Sequence, residues 1–163
     1  MKRIFAMTLA ALALVAATAS ADGLKYHLYA GAQGAWLDNT PASMPADFEA
    51  SGSGAIEMTP HLTAVADVDY GFSHSYLRGA GGLRATISDV NDPNLSAYVG
   101  IRYRGGSISQ LGPNEWAPDV GVGYRPAPKT WPHFLIGADA GYGLTSKAPL
   151  LTVGFRWEVG AIR

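Results

Sequence analysis

The sequence predicts an all-β chain: eight antiparallel strands, joined by hairpins, in an up-and-down order. Three observations predict it. Apolar and polar residues alternate almost without fault from Leu24 to Val159, which is the two-residue period of a strand with unlike faces. Clusters of Pro, Gly, Asn and Ser interrupt the alternation where hairpins would turn, and no helix-period segment separates them to carry a crossover. Nearly every charge within the strands falls on one parity.

Strand one runs roughly from Leu24 to Leu37, with Tyr26, Leu28, Ala30 and Trp36 against Lys25, His27, Tyr29 and Gln33. Strands two and three form the clearest hairpin, Phe48 to Phe72, turning at Thr59-Pro60-His61. Phe48, Ala50, Ile56 and Met58 oppose Glu49, Ser51, Ser53 and Glu57, and then Leu62, Ala66, Val68, Tyr70 and Phe72 oppose Thr63, Asp67 and Asp69. Strand four runs from about Ser75 to Asp89, with Leu77, Leu83 and Ile87 against Arg78 and Arg84. Asn91-Asp92-Pro93-Asn94 is a turn cluster.

Strand five sets Leu95, Val99, Ile101 and Tyr103 against Tyr98, Arg102 and Arg104, and Gly105 to Asn114 reads as a loop. Strand six sets Trp116, Val120, Val122 and Tyr124 against Glu115, Asp119 and Arg125. Pro118 interrupts it and predicts a bulge or a frayed end. Pro126 to Pro132 turns the chain. Strand seven sets Phe134, Ile136, Ala138 and Tyr142 against His133 and Asp139. After Ser146-Lys147-Ala148-Pro149, strand eight sets Leu151, Val153, Phe155, Trp157 and Val159 against Thr152, Gly154, Arg156 and Glu158. Eight such strands fit a closed barrel or a meander sandwich.

The ends and the composition bound the class. Residues 1–21 read as a cleaved secretory signal peptide. Lys2 and Arg3 precede an apolar run from Ile4 to Ala17, and Ala19-Ser20-Ala21 is a small-residue cleavage site. Residues 22–163 then form a single domain, exported without a cysteine. A secreted domain without disulfides needs a full core or a bilayer for stability. A net charge of −1 leaves no nucleic-acid footprint.

Periodicity alone does not say which face is inside. Aromatics decide it. On the oily parity, Tyr26, Trp36, Tyr70, Phe72, Tyr103, Trp116, Tyr124, Phe134, Tyr142 and Trp157 sit near strand ends, while the middles are small or aliphatic. About eight residues on a tilted strand span roughly 20 Å, the spacing of the two aromatic girdles of a membrane barrel. A soluble core would place its largest side chains centrally. The polar parity mixes glycine with arginine and with acids, which suits the narrow interior of an eight-stranded barrel. The fold class is therefore an eight-stranded antiparallel up-and-down transmembrane β-barrel, oily face outward.

The interior then holds a charge network: Glu49, Glu57, Asp67, Asp69, Arg78, Arg84, Arg102, Arg104, Asp119, Arg125, Asp139, Arg156 and Glu158. Buried charges are costly unless paired. A turn near Ser73 places Arg78 opposite Asp67 or Asp69, and a turn near Lys147 brings Arg156 to Asp139. Asp119 is expected to face Asp139, two acids that call for Arg156 or a shared proton. The network reads first as a plug and second as a path for protons or small ions.

With these residues in place, the chain resembles the small eight-stranded outer-membrane β-barrels of Gram-negative bacteria, the OmpA transmembrane-domain and OmpX-like group. The resemblance covers residues 22–163 as a pattern. Two stretches carry it: the hairpin GAIEMTPHLTAVADVDYGF and the final strand TVGFRWEV, which is similar to the assembly signal of such barrels. Gly160-Ala161-Ile162-Arg163 stands where that family usually ends on an aromatic residue. The resemblance implies location in the outer membrane, contact with its lipid, and recognition of the last strand by the barrel assembly machinery. Both ends of the barrel chain would face the periplasm. The outer loops would be Asp38 to Ala46, Ser73-His74-Ser75, Gly105 to Asn114 and Thr145 to Pro149, all too short to favour adhesion or receptor binding.

No cofactor, metal or catalytic site is expected. His27, His61, His74 and His133 lack ligand spacing, and no phosphate-cradling glycine motif opens a helix. Ser73-His74-Ser75 is the single hydroxyl–imidazole cluster at an outer end, without an orienting acid fixed by sequence. The expected function is an integral outer-membrane barrel with a structural or minor transport role. The alternatives are a periplasmic lipocalin-like carrier of an apolar ligand and an outer-leaflet lipid-modifying hydrolase acting through His74.

Overall fold

The computed structural model describes residues 25–37, 44–88, 94–107 and 113–162. The signal peptide, most of the Asp38–Ala46 loop, the Asn91–Pro93 part of one turn and residues 108–112 lie outside them. Eight strands follow one another: β1 Lys25–Leu37, β2 Met44–Thr59, β3 Leu62–Gly71, β4 Tyr76–Ser88, β5 Leu95–Gly106, β6 Glu115–Tyr124, β7 Phe134–Tyr142 and β8 Pro149–Ile162. Each pairs antiparallel with the next, and β8 returns to pair with β1, so the sheet is a closed barrel. Closure gives every described strand a neighbour on both sides.

The alternation dictates the two faces. Aliphatic residues at mid-strand positions such as Val99, Val120 and Val153 lie on the exterior, with Val120 at 53% exposure. Asp47, Glu49, Asp67, Asp69, Arg78, Arg84, Arg104, Glu115, Asp119 and Glu158 are buried, Glu49 completely. An apolar shell around an ionic interior reverses the arrangement of a soluble barrel. It excludes the lipocalin-like reading, which needs the oily face around the cavity.

Both chain directions define the barrel's ends. The proximal end carries the start of β1, the end of β8 and the β2–β3, β4–β5 and β6–β7 turns. The distal end carries the other connections. Aromatics cluster at both levels on the outside. Distally, Phe48 stacks on Phe72 at 5.8 Å, Tyr70 meets Phe72 at 5.3 Å, and Tyr103 meets Trp116 at 5.4 Å. Proximally, Phe134 meets Trp131, Phe155 and Trp157 at 5.9, 6.0 and 5.8 Å. The tyrosine and tryptophan rings among them are amphipathic and suit a membrane–water boundary.

Pro118 makes no bulge. The β5–β6 register runs unbroken through Ile101↔Pro118, and pairing of β6 with β7 begins one residue later at Asp119↔Gly141. The proline occupies a place where one flank of β6 has no ladder to lose. Register shifts fall instead at Ala35–Leu37, at Leu28–Tyr29 and at Glu57–Thr59. β7 ends at Tyr142, and β8 begins at Pro149, because the β7–β8 register reaches Tyr142↔Pro149.

Candidate functional site

The charged interior is built in three tiers, each from inward positions of several strands. At the distal end two carboxylates hold the turns. Asp47 of β2 accepts hydrogen bonds from the backbone N–H groups of Ser73 and His74 at 3.0 and 3.3 Å and faces His74 Nδ1 at 3.1 Å. Glu115, the first residue of β6, accepts from the Thr145 and Ser146 N–H groups at 2.8 Å each. It also accepts from Ser146 Oγ at 2.6 Å and Arg104 Nη2 at 2.9 Å. Arg104 further donates to the Ala148 carbonyl at 3.1 Å. Just below, Glu49 accepts from Tyr76 Oη at 2.5 Å, Arg78 Nη2 at 2.6 Å and Gln33 Nε2 at 2.8 Å. Arg78 also reaches Asp69 at 3.0 Å, its cross-strand partner. Tyr76 fits because Gly71 is opposite it, and any side chain there would collide with the ring.

The middle tier holds three guanidiniums and three carboxylates. Arg102 bridges Asp67 at 2.8 Å and Asp119 at 2.9 Å. Arg84 lies 3.4 Å from Asp119, 3.7 Å from Asp139 and 4.0 Å from Asp67. Arg156 reaches Asp139 at 3.4 Å, and Thr152 donates to the same carboxylate at 3.3 Å. The guanidinium of Arg84 also sits 4.0 Å above the Tyr98 ring, a cation–π contact strengthened by burial. Gly121 is opposite Tyr98, and a Cβ there would lie 2.5 Å from the ring.

Asp119 does not face Asp139. Asp119 pairs with Gly141, and Asp139 with Gly121. The stagger of two residues leaves a gap that Arg84 bridges, so the two acids are joined through a cation rather than a shared proton.

The proximal tier is looser. His27 is held between Glu158 at 2.5 Å and Glu57 at 3.1 Å, and His133 meets Glu158 at 3.1 Å. Lys25 reaches Glu57 at 3.8 Å. Above this mouth lies a cavity of about 240 Å³, lined from all eight strands. Above the middle tier the space shrinks to about 30 Å³ among Asp67, Asp69, Arg78 and Arg104, room for roughly one water. Among the described residues the lumen is therefore hollow proximally and filled distally.

The structure brings Glu49, Asp69 and Arg78 into one cluster and Asp67, Arg84, Arg102, Asp119, Asp139 and Arg156 into another. Arg104 goes to the distal turn, and Glu57 and Glu158 to the proximal mouth. Arg125 lines the cavity. The girdle aromatics Tyr26, Trp36, Tyr70, Phe72, Tyr103, Trp116, Tyr124, Phe134, Tyr142 and Trp157 all carry outward parity. Asp47, Glu115, Gln33, Tyr76 and Tyr98 carry the inward parity that the alternation gives them, but sequence reasoning did not assign them to the charge network. It also left out Trp131, which sits in a turn where alternation gives no signal. At His74, Asp47 supplies the orienting acid. Among the described residues no serine hydroxyl hydrogen-bonds the other imidazole nitrogen.

Solved structures with the same architecture set this geometry in context. A de novo designed transmembrane β-barrel superposes with a TM-score of 0.59 at 13% identity, covering 82% of this chain and 95% of the design. The fold is that of the small transmembrane β-barrels. The solution structure of the designed barrel TMB2.3 gives 0.52 at 19% identity, covering 85% and 98%. The Neisserial surface protein NspA gives 0.52 at 15% identity, covering 82% and 96%. No protein-family model matches the chain, and no curated protein sequence does.

Proposed function

We propose that this protein is an integral outer-membrane β-barrel with a sealed lumen and a structural role, carrying at most minor transport. The carrying observation is the inversion of polarity: an apolar, aromatic-rimmed exterior around a buried ionic interior. An exterior of that kind is stable against acyl chains and unfavourable in water. Pairing of each strand with the next, and of β8 with β1, satisfies the backbone along the paired registers within the sheet, as hydrocarbon requires. Export through the Met1–Ala21 leader and assembly through the last strand, with Thr152, Gly154, Trp157 and Val159, fit the same reading. The lipid of that membrane is its principal partner.

The middle and distal tiers support the sealed state. Passing an ion would require separating Arg102 from Asp67 and Asp119 and leaving buried charges unpaired. The test is direct. The protein should pellet with outer membranes, need detergent for release, and give no conductance steps in a planar bilayer. Release by osmotic shock would contradict membrane integration, and steady ohmic steps would contradict the seal.

A further inference from the structure

We propose that the proximal cavity is a binding site for a small organic anion with an aromatic or compact apolar body. This goes beyond the sealed barrel, because the distal half can be closed while the proximal half receives a ligand from the side of the chain's ends.

Charge argues for the anion. Three guanidiniums, Arg84, Arg125 and Arg156, line the space against two carboxylates, Glu57 and Asp139. Both carboxylates are engaged, Glu57 by His27 and Lys25 and Asp139 by Arg84 and Arg156. Arg125 is different. Every other lumen arginine has a carboxylate within 4.0 Å. The Arg125 guanidinium has none among the described residues, and it is neither fully buried nor fully exposed. Arg156 spends only one contact on Asp139, so further donors face the same space. A guanidinium offers a planar fork suited to a carboxylate or phosphate.

The walls argue for the body. Val65, Leu135, Tyr29 and Tyr98 supply apolar surface in the same cavity. The Tyr98 hydroxyl is buried without a hydrogen-bond partner, a group that a ligand oxygen would satisfy. A volume of about 240 Å³ equals roughly eight waters. That is slightly below the usual range for drug-sized ligands and fits a single-ring molecule. A space with apolar walls and a few convergent polar groups is the general form of a small-molecule site.

The test uses the full barrel folded in non-ionic detergent, with folding checked by gel mobility and circular dichroism. Benzoate is the probe, titrated by calorimetry, with benzylammonium and inorganic phosphate as the matched comparisons. Saturable benzoate binding is expected, with benzylammonium and phosphate at least tenfold weaker. Arg125→Gln should weaken benzoate at least tenfold, and Thr86→Trp, which fills the cavity without removing a charge, should abolish binding. Lys129→Gln, in the exposed turn outside the cavity, should leave it unchanged. The proposal is overturned if the folded barrel binds no benzoate saturably, or if Arg125→Gln or Thr86→Trp binds it as the wild type does. Equal affinity for benzylammonium would overturn the anionic assignment, and equal affinity for phosphate the apolar half of it. A barrel that fails to bind benzoate yet gives no conductance would leave the sealed-barrel reading standing.

Discussion

Arg102→Leu removes the guanidinium that holds Asp67 and Asp119 most closely among the described residues, at 2.8 and 2.9 Å. The middle tier then holds Asp67, Asp119 and Asp139 against Arg84 and Arg156 alone. Arg84 already serves all three acids at 3.4 to 4.0 Å, so it has no closer geometry to offer. The side chains of Asp67 and Asp119 are 6% and 1% exposed, and the adjoining space holds roughly one water, too little to replace a guanidinium. Removing one member of a buried ion pair costs about 3–5 kcal/mol. With a denaturant slope of about 2 kcal/mol per molar urea, the unfolding midpoint should fall by roughly 2 M. The assay is urea unfolding of the barrel in lipid vesicles, followed by tryptophan fluorescence. The double variant Arg102→Leu/Asp119→Leu restores charge balance with two acids and two bases and should recover at least half of the loss. A single-variant loss below about 0.5 kcal/mol, or a double variant equal to the sum of both singles, would refute the idea that charge balance holds this tier together.

Two further changes probe other parts. Gly121→Val inserts atoms where a Cβ already comes within 2.5 Å of the Tyr98 ring. It should destabilise by about 1–3 kcal/mol, and adding Tyr98→Ala should relieve most of that; the check is the same urea titration. Glu115→Ala removes the carboxylate that holds the β7–β8 turn. Loss of about 2 kcal/mol of charged hydrogen bonding should raise the open population of that turn about thirtyfold, read as faster trypsin cleavage at Lys147.

The fold was legible because a closed sheet obeys one simple rule, alternation, over its whole length. Every strand from Lys25 to Ile162 was readable from it, with ends misplaced by a few residues where register decides. The extra length of β8, for example, comes from pairing with both β1 and β7. The partner of Arg78 was readable to within two residues, as Asp67 or Asp69, because the β3–β4 turn is tight, and the register settles on Asp69. The relation of Asp119 to Asp139 was not, because the long β6–β7 connection leaves the register free to shift by two. The roles of Asp47 and Glu115 were hidden for a similar reason. Each caps a turn that sequence places only approximately, so its donors could not be named. The proximal cavity was invisible, since a void depends on where long side chains lean, and alternation is silent on that.

The account rests on apolar side chains meeting lipid while the ions stay inside. Val120 is a mid-strand exterior residue and its neighbour Gly121 points inward. Val120→Trp, in a background with the four native tryptophans replaced by Phe, measures that contact directly. Lipids brominated deep in the acyl chain should quench its fluorescence strongly, while aqueous acrylamide should quench it weakly. Strong acrylamide quenching with no response to brominated lipid would contradict the account.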